Sequence, residues 1–205
     1  MRAGPIAVVF YGASAAVAVL VGWLRGAPDL LHHPWPWLAL SEPHASLLSI
    51  AGGLGAASVL IVATRLAVRR LRTATALADE LATSLGPSSA ARSAALALGS
   101  ALGEELLFRG ALQPLLGLHV SALLFALLHL GPPRTRLFWT SLALLAGLLF
   151  GLVFEATGSL LGPIVAHALV NHVNLRLLAE RAETVLVAPV DPAIVPARSR
   201  RARPS

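Results

Sequence analysis

The chain contains no cysteine and no lysine. The first absence removes disulfides, thiol nucleophiles, thiolate metal sites and cysteine-attached haem. The second removes Schiff-base chemistry and the phosphate-binding lysine of P-loops. Charge is scarce as well: 13% of residues are charged, where a soluble domain carries about a quarter. What fills the gap is apolar, with 56% hydrophobic residues and a mean hydropathy of +0.75. A chain of 205 residues with this balance is one compact integral membrane protein, all-α. The net charge of +6 does not imply a nucleic-acid partner. Every basic residue is Arg, and most stand at the ends of apolar runs rather than on one basic face, so the charge reports topology.

The runs divide the chain into about six crossings of a transmembrane helix bundle. Residues 5–24 form the first, longer than the ~7 to 15 apolar residues of a cleaved signal peptide. Residues 25–46 hold Asp29, His32, His33, Trp35, Trp37 and Glu42, which suits an interfacial loop with Trp at headgroup level. Residues 46–68 are the second span, and Arg69, Arg70 and Arg72 after it mark the cytoplasmic side. A polar connector over 73–93 is expected to include a short interfacial helix. Residues 93–116 form an apolar helix interrupted by Glu104, Glu105 and Arg109; 119–130 form a short, tilted or re-entrant span; 137–154 and 160–178 are two more, joined by a tight turn at 155–159. With both termini cytoplasmic, nearly all Arg fall on the inner side and only Arg25 on the outer, which places the protein in the cell inner membrane. The expected division is a membrane domain over 1–180, its motif-bearing core at about 90–175, and an Arg/Pro-rich, disordered cytoplasmic tail over 181–205 near anionic lipid.

A carboxylate at mid-bilayer costs about 2.5 to 3.5 kcal/mol, so two adjacent Glu in one span need partners. Glu105 and Arg109 are four apart on one helix face and can pair as structural support. Glu104 points about 100° away from Glu105 and lies off that pair. His129 ends the short span, while His167, Asn171 and Asn174 form a polar stripe on the last one. Glu104, His129, His167 and Asn171 come from three spans in a medium that offers no other polar partner. They most economically share one buried, hydrated pocket. Glu beside His can activate water, and His with Asn can donate to a tetrahedral intermediate, which is equipment for hydrolysis.

Other protease designs are absent: there is no His-Glu-x-x-His, no Gly-x-Ser-Gly, and the three Asp, at 29, 79 and 191, all lie outside the spans. A transporter would use similar buried charges, but no inverted repeat or broken helix pair is visible.

Three segments carry a family resemblance: Glu-Glu-Leu-Leu-Phe-Arg-Gly at 104–110, Phe-Ala-Leu-Leu-His at 125–129 and His-Ala-Leu-Val-Asn at 167–171. In this order they resemble the three motifs of the CPBP intramembrane proteases, which include the type II CAAX prenyl proteases and bacterial Abi-like proteins. The resemblance covers about residues 90–175. It implies an endopeptidase with Glu104 as catalytic glutamate assisted by His129, Glu105 and Arg109 as structural support, and His167 with Asn171 as the oxyanion site. Its partners would be the lipid bilayer and a membrane-associated protein or peptide substrate. Glu and His are also zinc ligands, but Asn is a poor one and a good oxyanion donor, so no cofactor is favoured, with zinc as the alternative. The rival function is a catalytically silent scaffold that binds a partner helix in the same cavity.

Overall fold

The computed structural model describes residues 3–187, and the described residues are helical throughout apart from their connections. Helices α1 (Ala3–Leu24) and α2 (Glu42–Arg70) are followed by α3 (Arg72–Leu85) and α4 (Ala90–Glu105). A π-helical segment (Leu106–Leu112) leads into α5 (Gln113–Leu128), and α6 (Arg136–Thr157) and α7 (Leu161–Val187) complete the bundle. Four runs are long and apolar enough to cross a membrane: Ile6–Leu24, Glu42–Arg70, Ala90–Leu128 and Arg136–Thr157. The third is two expected crossings in one, since the chain reverses at Gly117, whose φ of 78° suits a residue without Cβ. Adding α7, whose polar stripe lowers its hydropathy, recovers the six segments read from the sequence. The expected interfacial helix of the connector is α3, with Ala74, Leu77, Ala78 and Ala82 buried on one face.

Two differences from expectation matter. First, α7 continues as helix through Arg181 to Val187, past the boundary at 180. Arg181 pairs with Asp79 of α3, and Arg176 donates to the Ser88 carbonyl at 2.8 Å; these contacts hold the helix against its neighbours. Residues 188–205 of the expected tail lie outside the described residues. Second, the 25–41 loop is tied down along its length. The backbone N–H of His33 donates to Gly158 O at 2.8 Å, that of Trp37 to Glu155 O at 2.8 Å, and that of Leu160 to Leu31 O at 2.9 Å. Trp35 and Trp37 nonetheless keep their rings exposed, as a headgroup-level loop requires.

Close backbone crossings set the helix positions. A Cβ on Gly103 of α4 would lie 2.6 Å from the backbone oxygen of Tyr11 in α1. Glycine there is what lets α1 and α4 touch main chain to main chain. A second crossing joins Gly53 of α2 to Gly162 of α7, where a Cβ on either would run into the other helix's backbone. Beside it Ser49 donates to Ser159 O at 2.6 Å and accepts from Gly162 N–H at 3.0 Å. The strongest packing is of α7 against α2 and α4 and of α5 against α6. The last helix is thereby central.

Candidate active site

Each functional side chain is delivered by a different device. Glu104 and Glu105 close α4, where the helix widens into the π segment. Such widened turns inside α-helices occur often at functional sites, because the changed pitch turns side chains off the α-helical wheel. The Phe108 carbonyl, within the widened segment, accepts from the Ser121 hydroxyl at 2.7 Å. Arg25 also reaches this segment and donates to Ala111 O, so the one Arg expected on the outer side has a partner in the bundle. Beyond Gly117, α5 runs only over 118–128, about 16 Å at 1.5 Å per residue. Because α5 stops short of a bilayer thickness, His129 at its end reaches the other polar groups inside the bundle.

The structure brings together Glu104, His129 and His167. The Nε2 atoms of His129 and His167 stand 3.5 and 3.9 Å from Glu104 Oε2. Both imidazoles are anchored on their far side. His129 Nδ1 donates to Phe125 O at 2.8 Å, and His167 Nδ1 donates to Glu105 Oε1 at 2.6 Å. A neutral ring whose Nδ1 carries the hydrogen presents a lone pair at Nε2. With both rings neutral, three acceptors converge with no donor among them. Their separations are too long for good direct hydrogen bonds. Glu104 Oε2 is buried and has no hydrogen-bond partner among the described residues.

Glu105 behaves differently although it is the next residue. It is fully buried and Arg109 NH1 donates to its Oε1 at 3.0 Å, the expected ion pair. Arg109 also donates to Gly147 O at 3.2 Å and lies 4.5 Å from the centre of the Phe125 ring. The sequence reading missed that Glu105 also holds His167. This carboxylate is thus more than a counter-charge, since it fixes which nitrogen of His167 faces Glu104.

Asn171 stands one turn beyond His167 on α7 and donates through Nδ2 to Ser100 Oγ at 2.9 Å. Ser100 in turn donates to Ala97 O at 3.0 Å. One Nδ2 hydrogen of Asn171 remains uncommitted. Ser100 was not singled out from the sequence, yet it precedes Glu104 by four residues and so shares its helix face. Asn174, the third member of the stripe, also lines the cavity beside the site, with Oδ1 unpartnered.

That cavity holds about 380 Å³, and His129, His167, Asn171, Ser100 and Tyr11 contribute its polar wall. Asn174 and Thr64 add two more polar side chains, and most of the remaining wall is apolar, including Leu81 and Leu85 of α3. Glu104 is not among the lining residues, but His129 and His167, which are, stand 3.5 and 3.9 Å from its Oε2. No cluster of three or more His, Cys, Asp and Glu arranged to hold a metal ion occurs among the described residues.

A polytopic helical bundle with buried Glu and His side chains from three helices around one cavity defines a membrane protein with an enzyme-like site. Its motif-bearing part is similar to a known family: residues 86–173, under half of the chain, match the Rce1-like family model, described as type II CAAX prenyl endopeptidase Rce1-like. All of α1, α2 and α3 lie outside that match. A stretch of 73 residues is 40% identical to the uncharacterized protein YpbD of Bacillus subtilis (strain 168), over 36% of this chain and 38% of that protein. The matched stretch thus spans well under half of either chain. No solved structure matches.

Proposed function

We propose that the protein is an intramembrane endopeptidase in which Glu104 and His129 activate a water without a metal. The observation that carries this reading is the buried, unpartnered Oε2 of Glu104 facing two anchored imidazoles. A water placed among these three acceptors would give its hydrogens to Glu104 and to an imidazole, leaving its oxygen lone pair for a peptide carbonyl carbon. As the C–O bond forms, the water's proton passes to Glu104. The carbonyl oxygen becomes an oxyanion, for which Asn171 offers its free N–H, while His167 Nε2 holds the remaining hydroxyl hydrogen of the former water. Glu105 holds the His167 ring in this orientation by accepting the Nδ1–H. Glu104 then returns the proton to the leaving nitrogen, the C–N bond breaks, and acid and amine products separate.

The substrate class follows from the location: a membrane-associated protein or peptide whose susceptible bond enters an apolar cavity. The positive-inside pattern supports a reading with both termini cytoplasmic and the protein in the cell inner membrane. In support, contacts of α7 with Asp79 and Ser88 gather the Arg-rich ends of α2, α4 and α7 at one end of the bundle. Arg25 lies with the opposite end.

The test compares membrane peptides by mass spectrometry in cells carrying the native chain or Glu104→Gln. Products present with the native chain and missing with the variant are expected. Identical peptide profiles would leave the silent scaffold as the reading. Purified enzyme should keep its activity in chelator; activity lost to chelator and restored by Zn²⁺ would make Glu104, His129 and His167 ligands instead.

A further inference from the structure

Helix α1 lies outside the family match, yet it supplies two residues, Ala7 and Tyr11, to the wall of the catalytic cavity. Tyr11 is the only tyrosine in the chain. Its position is fixed by backbone contact, because Gly103 has no room for a Cβ beneath the Tyr11 carbonyl. The ring then lies over α4, with Cδ2 at 3.6 Å from where a Cβ on Gly99 would stand. Its phenol lies toward Ser100, the residue that holds Asn171. A phenol in apolar surroundings needs a polar partner, and this one has been brought to the site's rim.

The polar groups of the cavity form a row along α1, α4 and α7: Tyr11, Ser100, Asn171 and His167. The wall around Leu60, Leu81, Leu85 and Leu142 is mostly apolar, with the Thr64 side chain and the Trp139 ring beside them. A peptide main chain drawn out of helix carries a carbonyl and an N–H at every residue, and each must be satisfied where water is scarce. A hydrocarbon chain has no use for a polar row. One polar wall and one mostly apolar wall together fit a straightened peptide with apolar side chains.

We infer that Tyr11 is a substrate-binding residue, whose hydroxyl donates to a backbone carbonyl of an apolar peptide lying straight along α4 and α7, beside the bond to be cleaved. The inference rests on the endopeptidase reading for the identity of that bond, but not for the binding itself. It makes α1 a specificity element attached to the family core.

The test uses the full chain in lipid nanodiscs and a fluorescent leucine–alanine peptide of about 20 residues with a central Gly-Gly step. In the Glu104→Gln background, Tyr11→Phe should weaken binding of this peptide about fivefold to tenfold, the worth of one neutral hydrogen bond, with the melting temperature unchanged. Binding of farnesol, which has no main chain, should not change. With Glu104 intact, the same substitution should lower kcat/KM for peptide cleavage by the same factor, chiefly through KM. Equal peptide affinity with and without the hydroxyl overturns the inference, as does a peptide that does not bind, or a loss of melting temperature in Tyr11→Phe that accounts for the change. Hydroxyl-dependent binding without cleavage by the native chain would overturn the endopeptidase reading and leave the role of Tyr11 standing.

Discussion

The outer end of the bundle and the catalytic cavity treat polar groups in opposite ways. At the outer end, the 25–41 loop, the α6–α7 turn and the Ser49 hydroxyl are joined to one another by hydrogen bonds. In and beside the cavity, Glu104 Oε2, Glu105 Oε2 and Asn174 Oδ1 are buried and without hydrogen-bond partners among the described residues. An unsatisfied buried polar group costs about 1–3 kcal/mol. On the proposed function, the turn region holds the frame, and the open atoms of the cavity carry the chemistry.

The sharpest way to break this contrast is to change its two adjacent carboxylates. Glu105→Gln should destabilise the protein by about 3–5 kcal/mol, because Arg109 would remain buried without its counter-charge. Glu104→Gln should end proteolysis and change stability by under about 1 kcal/mol, since no partner is lost. Thermal melts of the two variants in detergent, read beside a cleavage assay, check both. Equal melting temperatures would remove the distinction between support and chemistry.

Packing comes next. Gly103→Ala forces a Cβ against the Tyr11 carbonyl and should cost about 1–3 kcal/mol, moving α1 and lowering turnover in the same assay. Ser49→Ala should cost about 1–3 kcal/mol by stranding the Gly162 N–H, yet leave turnover per folded molecule unchanged, because Ser49 belongs to the frame. A Ser49→Ala protein that is stable but slow would place the frame inside the mechanism.

The smallest effect concerns pH at the outer loop. The hydrogen bond from His32 Nδ1 to Asp29, 2.7 Å long, raises the His32 pKa; partial desolvation opposes it and Glu42 assists. Because the folded value is raised, this contribution is complete below the ordinary histidine value near ~6.5 and fades as pH rises through the higher folded value. The melting temperature should fall across that window by no more than about 2 °C, as exposed pairs are screened. His32→Gln should flatten the profile, which melts at pH 5.5 and 8.5 would show.

Much of this was legible in the residues themselves. Apolar runs near bilayer length fix helices, since only hydrogen-bonded backbone survives in lipid, and buried Glu, His and Asn on three of them must converge. The Glu105–Arg109 pair follows from spacing alone. Other features depend on neighbours distant in sequence. The π segment after Glu105 arises where Ser121 and Arg25 reach its carbonyls. The bond from Glu105 to His167, between residues 62 apart in sequence, decides which imidazole nitrogen faces Glu104. Tyr11 enters the cavity only because Gly103 lets two backbones touch. Periodicity along one helix specifies which face is polar. The partner that meets that face is set by how helices cross, and that is decided only when the whole bundle packs.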